Sequence, residues 1–422
     1  MSAMSENAGW PLSVAAATLL ALSLTACAMV ANVVDMEGRI AADGSANVPM
    51  ILDGDQILFE LEAQRPDGSW RSGLALLNMG QSPPVLKQSL YDELAIGVGR
   101  PLRLRIGERS IAIAAGVVRS EPDRPKGERQ FASFFPSRRV DMVLQSGALA
   151  RGELVIDYTA RRLAFTAPGA APHEGVPVPL RIDRHTGLAL VDAMIDGKSH
   201  AFVIDAGSPY SWMRGALASQ WLERHPDWLR GHGAFGPANY NMLDLPFEKD
   251  GDVLRIPQIA LGPLVMKDVG LMGSGPSLGP ADGLIGEAFW NVWQEQAGER
   301  VAGWLGNNVL RRYRLTIDYP NAMSYWRKDA EPDVREFDRV GVTLVYERGD
   351  YFIGGIVARA SGASVDGLEI GDLLIAIDGD PTHGAPRERV LTALRGAPGE
   401  RKILRVARGS AELNVAAEVS AF

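Results

Sequence analysis

The chain has 422 residues, room for two to four domains at about 100 to 200 residues each. Hydrophobic residues at 46%, charged residues at 22%, and 46 Gly with 26 Pro describe a turn-rich globular chain leaning toward β structure, which excludes a disordered or coiled-coil protein. A net charge of -8 without any Lys/Arg run removes the attraction that nucleic-acid backbones require, and one Cys with six scattered His excludes a disulfide framework and a Cys/His zinc cluster. No metal, cofactor or nucleic-acid partner is expected.

Residues Leu12 to Ala26 form an uncharged apolar run. The run is shorter than the roughly 20 residues a spanning helix needs, so it reads as an export signal. Its end, Leu24-Thr25-Ala26-Cys27, resembles the bacterial lipobox. That resemblance implies a signal peptide over 1–26, acylation of Cys27, a tether over 27–49, and a membrane-anchored location facing the periplasm or cell surface.

Self-comparison finds a repeat. Leu149 precedes Ile156-Asp157-Tyr158, and Leu310 precedes Ile317-Asp318-Tyr319, with each Asp eight residues after its Leu. Upstream, Asp141-Met142-Val143-Leu144 answers to Asp282-Gly283-Leu284-Ile285-Gly286, although Leu305-Gly306 competes for the same place. Further upstream, the apolar runs Leu74–Leu77 and Ala201–Ile204 end in Asn78-Met79-Gly80 and Asp205-Ala206-Gly207-Ser208. An apolar strand running into a polar residue and a Gly turn puts that polar residue at the buried end of a sheet.

These elements in this order resemble the retropepsin-like and pepsin-like aspartic proteases. The resemblance implies a mostly β fold, with aspartic-protease-like β-barrel lobes over 50–167 and 178–327 and a cleft between them. In that family one Asp from each lobe shares a proton, one acting as base on water and the other as acid on the scissile carbonyl. Carried over by position, Asp205 is one catalytic residue and Asn78 occupies the place of the other, with Gly80 and Gly207 shaping the turns and Ser208 set to donate to Asp205. Asn holds no charge and gives up no proton usefully at neutral pH, so the single-chain dyad is expected to be impaired. The threonines that clasp the lobes are replaced by Met79 and Ala206, and Gln145 stands where lobe 1 should carry a Gly. Two outcomes follow: a cleft that binds peptides without cutting them, or a homodimer in which second lobes bring Asp205 against Asp205. The hairpin around Leu104 to Ile113, with Ile106-Gly107-Glu108 at its turn, is expected as a flap. Arg214 to Pro246 reads as an insertion over the cleft, with His225 and His232 as surface groups.

After a polar linker from Lys328 to Arg339, Gly367 to Gly379 resembles the most recognisable stretch of bacterial PDZ domains. This implies a β-rich α+β domain over 338–420, with a groove helix from Pro386 to Arg395 that carries Val390. Gly341-Val342-Thr343-Leu344 would be the loop that caps a peptide carboxylate, making peptides or protein C-termini the expected partners. Gly275-Pro276-Ser277-Leu278-Gly279 matches a hydrolase elbow in letters only, because its prolines forbid the strand-turn-helix context.

Overall fold

A computed structural model describes residues 35–121, 138–233, 251–274, 282–359 and 362–422, and leaves the side chains of 282–288, 359, 362 and 363 undescribed. The export segment, Cys27 and the Gly275–Gly279 stretch lie outside these residues. No helix among the described residues is long and apolar enough to cross a membrane.

Lobe 1 is built from alternating strands. In Leu102–Ile106 and Arg109–Ile113, Leu102, Leu104, Ile106, Ile111 and Ile113 point inward while Arg103 and Ser110 face solvent. They join a nine-stranded sheet whose centre has a different pattern. There Met142–Gln145 runs parallel to Trp70–Asn78 and antiparallel to Val85–Lys87, with Gln145 opposite Asn78. All four residues of this crossing strand are buried, so it reads as a continuous run rather than an alternation.

Lobe 2 repeats that crossing. Gly303–Leu305 lies parallel to Lys198–Ile204, with Leu305 opposite Ile204, and antiparallel to Trp212–Met213. The second-lobe partner of the 142–145 strand is therefore the segment ending in Leu305-Gly306, and the alignment with Asp282–Gly286 is corrected. Asp282 instead starts the helix Asp282–Ala297. Phe289, Trp293 and Ala297 recur every four residues on its buried face, and that face packs on the crossing strand. Trp290 and Trp293 from that face pack on Trp304, with ring centroids 4.9 and 5.4 Å away. With Gln145 matched to Gly306, the repeat runs without insertion through Leu149 and Leu310 to Asp157 and Asp318.

The lobes join through a six-stranded sheet. Its central pair is Glu153–Asp157 of lobe 1 against Tyr313–Asp318 of lobe 2. Leu154 sits opposite Ile317 and Ile156 opposite Leu315, a reciprocal pairing of repeat-equivalent residues that makes the joint approximately twofold. The molecule is thus a mostly β, bilobal protein.

Residues expected as tether already belong to these sheets. Ile40–Asp43 pairs with Arg109–Ile113, and Ala46–Pro49 forms one edge of the joint. Burial of Met36, Ile40 and Ala46 in the core explains why the segment is not loose. The short connection after lobe 1 likewise supplies Val176–Pro179 to the joint, against Met323–Lys328.

The C-terminal domain orders its main strands Val342–Glu347, Asp350–Ile356, Leu373–Ile377, Arg401–Arg408 and Ala411–Glu418. Its helix spans Arg387–Ala393 with Pro386 at the N-cap, a little shorter than the sequence suggested. Val342, Leu344, Tyr351, Val390 and Leu404 share one apolar cluster with Leu58, Leu76, Val140 and Val143 of lobe 1. The outer face of lobe 1 is thereby covered, which is why strands that bury Phe59 and Leu77 on one face also carry leucines on the other. The expected polar linker is packed at its C-terminal end: Glu336 and Arg339 are buried, and Arg255 Nη2 meets Glu336 Oε1 at 3.1 Å.

Candidate active site

Two strands deliver the key side chains. Phe202, Val203 and Ile204 are fully buried and carry Asp205 to the crossing of lobe 2, where its N–H donates to Leu305 O at 3.0 Å. Leu76 and Leu77 carry Asn78 to the corresponding place in lobe 1. Asp205 Oδ1 accepts from Gly207 N at 2.8 Å and, across the lobe boundary, from Met79 N at 3.1 Å. Asn78 Oδ1 accepts from Gly80 N at 3.0 Å.

The two turns interlock. A Cβ on Gly207 would lie 2.6 Å from Asn78 Cγ, and a Cβ on Gly80 would lie 2.3 Å from Asp205 Oδ2. Only glycine lets each turn close over the side chain of the other lobe. Asn78 thus packs against the Gly207 turn and Asp205 against the Gly80 turn, and both side chains are buried, 2% and 3% exposed.

Burial pushes the Asp205 carboxyl up from its ordinary 3.8 to about 6, against the downward pull of backbone N–H groups of Gly207, Met79, Gly80 and Ser208. The turn of lobe 1 that interlocks with it carries the amide of Asn78. A lone carboxylate can take up or release one proton near pH 6, but Asn78 can only give and accept hydrogen bonds.

Other expected roles shift. Ser208 does not donate to Asp205: its hydroxyl donates to Tyr210 O at 2.6 Å and accepts from Trp304 Nε1 at 2.9 Å. The indole beside it captures the hydroxyl and ties the Asp205 turn to the crossing strand. Met79 and Ala206 are fully buried and offer no hydroxyl for a clasp.

Asn307 and Gln56 clasp the lobes instead. Asn307 Nδ2 donates to Ala206 O at 2.8 Å and to Asp55 O at 2.5 Å, while its Oδ1 accepts from Tyr158 O–H at 2.5 Å. Gln56 Nε2 donates to Gly207 O at 3.0 Å. Neither residue was singled out from the sequence. The available signals were an Asn pair directly after Gly306, where lobe 1 has Ser146-Gly147, and a Gln opening an apolar strand. Tyr319, the repeat partner of Tyr158, has no hydrogen-bond partner for its hydroxyl among the described residues. Burial, helped by the charge of Asp205, pushes its pKa up and keeps it a neutral donor.

The expected flap is a packed corner. A Cβ on Gly107 at its tip would touch Ala46 Cβ and Val48 Cγ1 at 3.5 Å, and Arg109 Nη1 anchors the hairpin to Gly44 O at 3.1 Å. Of the expected insertion, the described part holds the helix Gly215–Arg224, a short turn and the strand Leu229–His232. His225 and His232 are engaged with Asp196 and Asp252 at 3.0 and 2.6 Å.

In the C-terminal domain, Val342, Thr343 and Leu344 are fully buried and Val390 nearly so. A Cβ on Gly341 would meet Ser364 Oγ at 2.3 Å and Phe422 Cζ at 2.8 Å. The expected loop is corrected at Val342 to Leu344, which begin the strand Val342–Glu347; Val342 and Leu344 share an apolar cluster with Val390, so the site is closed. Glu153, His173 and Asp318 have the residue types to hold a cation. Their oxygens are already taken up: Glu153 accepts from Gly169 N, Ala171 N and His173, and Asp318 from Asn321. The group works as a polar lock on the joint.

No protein-family model matches the chain, and no curated protein matches it. Among solved structures it is similar to the aspartic proteinase from Irpex lacteus, at 10% identity and a TM-score of 0.41, covering 69% of this chain and 99% of that one. It is also similar to Basic 7S globulin from soybean, at 10% identity and a TM-score of 0.40, covering 68% of this chain and 95% of that one.

Proposed function

We propose that this chain is an exported, lipid-anchored protein of aspartic-protease-like build that binds extended peptides between its lobes and does not hydrolyse them. One observation carries the reading: the lobe 1 turn that interlocks with the Asp205 turn carries Asn78, whose Cγ would lie 2.6 Å from a Cβ on Gly207. No second carboxylate among the described residues pairs with Asp205 to share its proton, and loss of a positioned acid or base costs about 10² to 10⁴ in rate. The in-register joint argues against the alternative of a second-lobe homodimer. Bringing Asp205 against Asp205 would require breaking the pairing of Glu153–Asp157 with Tyr313–Asp318. Export and acylation rest on the Leu24–Cys27 sequence.

The test uses the full chain with casein and a peptide library from acidic to neutral pH. Saturable peptide binding by fluorescence anisotropy without cleavage is the expected result. Cleavage that disappears in Asp205→Ala would overturn the reading.

A second site of peptide capture is favoured by the place of Val342–Glu347 at the end of its sheet, with one edge unpaired among the described residues. An extended peptide adds a strand to such an edge. Because Val342 to Leu344 are buried, this binding requires the C-terminal domain to open. Anisotropy of peptides with free and amidated C-termini separates this mode from cleft binding.

A further inference from the structure

The turn 53–56 of lobe 1 is met by two other parts of the chain. It joins Ile51–Asp53 to Gln56–Gln64, with Gly54 and Asp55 both at positive φ, 55° and 63°. From lobe 2, Asn307 reaches Asp55 O, and Arg311 Nη1 meets Asp55 Oδ1 at 2.7 Å. From the C-terminal domain, Arg387 at the start of the helix Arg387–Ala393 donates from Nη2 to Gly54 O at 2.6 Å and from Nη1 to Gln56 Oε1 at 2.9 Å. Gln56 then donates to Gly207 O at 3.0 Å, and the N–H of Gly207 holds Asp205 Oδ1 at 2.8 Å.

We propose that Arg387 is a positioning residue for Asp205, acting through Gln56, so that the C-terminal domain sets the conformation of the Asp205 turn. The chemistry of the relay is directional. A guanidinium only donates, so Arg387 holds the oxygen of the Gln56 amide and leaves its NH₂ group to face the Gly207 carbonyl. Without Arg387 the amide is free to flip, and Oε1 against Gly207 O is repulsive. The relay is dry, since Arg387 and Gln56 are each 1% exposed, and in such surroundings a broken link is not made good by solvent.

The turn is also shaped for the guanidinium. A Cβ on Gly54 would lie 2.2 Å from Arg387 Nε. Beside Gly54, the Asp53 carboxyl is buried and has no hydrogen-bond partner among the described residues. This inference goes beyond peptide binding and stands whether or not the cleft takes a peptide.

The experiment follows the Asp205 carboxyl by carbon-detected NMR titration, and the Gly207 amide, in the full chain. Arg387→Met and Gln56→Met are each expected to move the Asp205 midpoint from its value near 6 by about half a pH unit or more. Both should displace the Gly207 resonance, and the double variant should add nothing to either single one. Arg387→Lys, which still donates to Gln56, should restore most of the wild-type position. Leu404→Ala loosens the core of the same domain away from the turn and should lower Tm without moving Asp205. An unchanged Asp205 midpoint in folded Arg387→Met, or an equal displacement in Leu404→Ala, overturns the proposal. If Arg387→Met does not fold, Gln56→Met decides by the same readings.

Discussion

The backbone N–H of Met79 donates to the carboxylate of Asp205 across the lobe boundary, at 3.1 Å. One lobe supplies the carboxylate and the other supplies part of its solvation. The ionisation of Asp205 and the seating of the two lobes are therefore a single physical property.

The first expectation concerns pH. Burial raises the folded-state pKa of Asp205 from 3.8 to about 6. The stability this group contributes is then fully present below about pH 4 and is lost as pH rises through about 6. Asp205→Asn, which keeps an acceptor for Met79 and Gly207, should gain on the wild type by about 3 kcal/mol between those limits. Urea denaturation of both proteins at about pH 4 and pH 7 checks it, and a difference that is constant with pH would contradict the assignment.

Restoring the missing carboxylate should show the opposite charge problem. In Asn78→Asp two buried acids face each other and cannot both ionise, so they titrate as a pair with two separated apparent pKa values. The variant should be nearly as stable as wild type in acid and lose about 2 kcal/mol or more toward neutral pH. The same pair can share a proton, so peptide cleavage at acidic pH is expected here and not in the wild type. A single Asp205-like titration in Asn78→Asp would show that the side chains do not meet.

Asn307 offers a test of the lobe clasp. Truncation to Ala leaves Tyr158 O–H and the carbonyls of Ala206 and Asp55 without the partner they have now. Buried groups stripped of partners cost about 1 to 3 kcal/mol each, so for these three a loss of about 3 kcal/mol or more is expected, visible as a lower urea midpoint. Asn307→Asp should be worse at neutral pH than in acid, because its charge would sit near two carbonyl oxygens.

The C-terminal domain should depend on lobe 1. Leu76→Asp places a charge in the cluster that contains Val342, Leu344 and Leu404, and is expected to cost about 3 kcal/mol or more. Hydrogen exchange should then rise in Val342–Glu347 as well as in Trp70–Asn78. Exchange confined to lobe 1 would mean that the two cores are energetically separate.

Cys27 carries the remaining expectation. Mass spectrometry of membrane-extracted protein should find a lipid on an N-terminal peptide beginning at Cys27, and mature material with unmodified Cys27 would refute acylation.

Much of the architecture was legible because it is written in local pattern. Apolar runs ending in Asn78-Met79-Gly80 and Asp205-Ala206-Gly207, and the twin Ile-Asp-Tyr segments, fix a duplicated β unit with a polar residue at each buried strand end. The identity of residue 78 was likewise plain, and with it the absence of a second acid at that position. The turn and strand signals of Leu373–Ile377 and the helix Arg387–Ala393 were readable from glycine placement and helical spacing.

What the sequence could not rank were interactions between distant segments. Asp282–Gly286 and Leu305-Gly306 both fit as the crossing strand by letters, and only packing of the 282–297 helix on Trp304 left the parallel position to Gly303–Leu305. Ser208 carried the expected hydroxyl, yet Trp304, 96 residues away, determines where it points. The roles of Gln56, Asn307 and Arg387 arise only when chain separations of 151, 101 and 331 residues are closed. Backbone periodicity is a local property read along the chain, whereas the satisfaction of a buried donor depends on whichever acceptor the fold brings beside it, and that partner is chosen by tertiary packing alone.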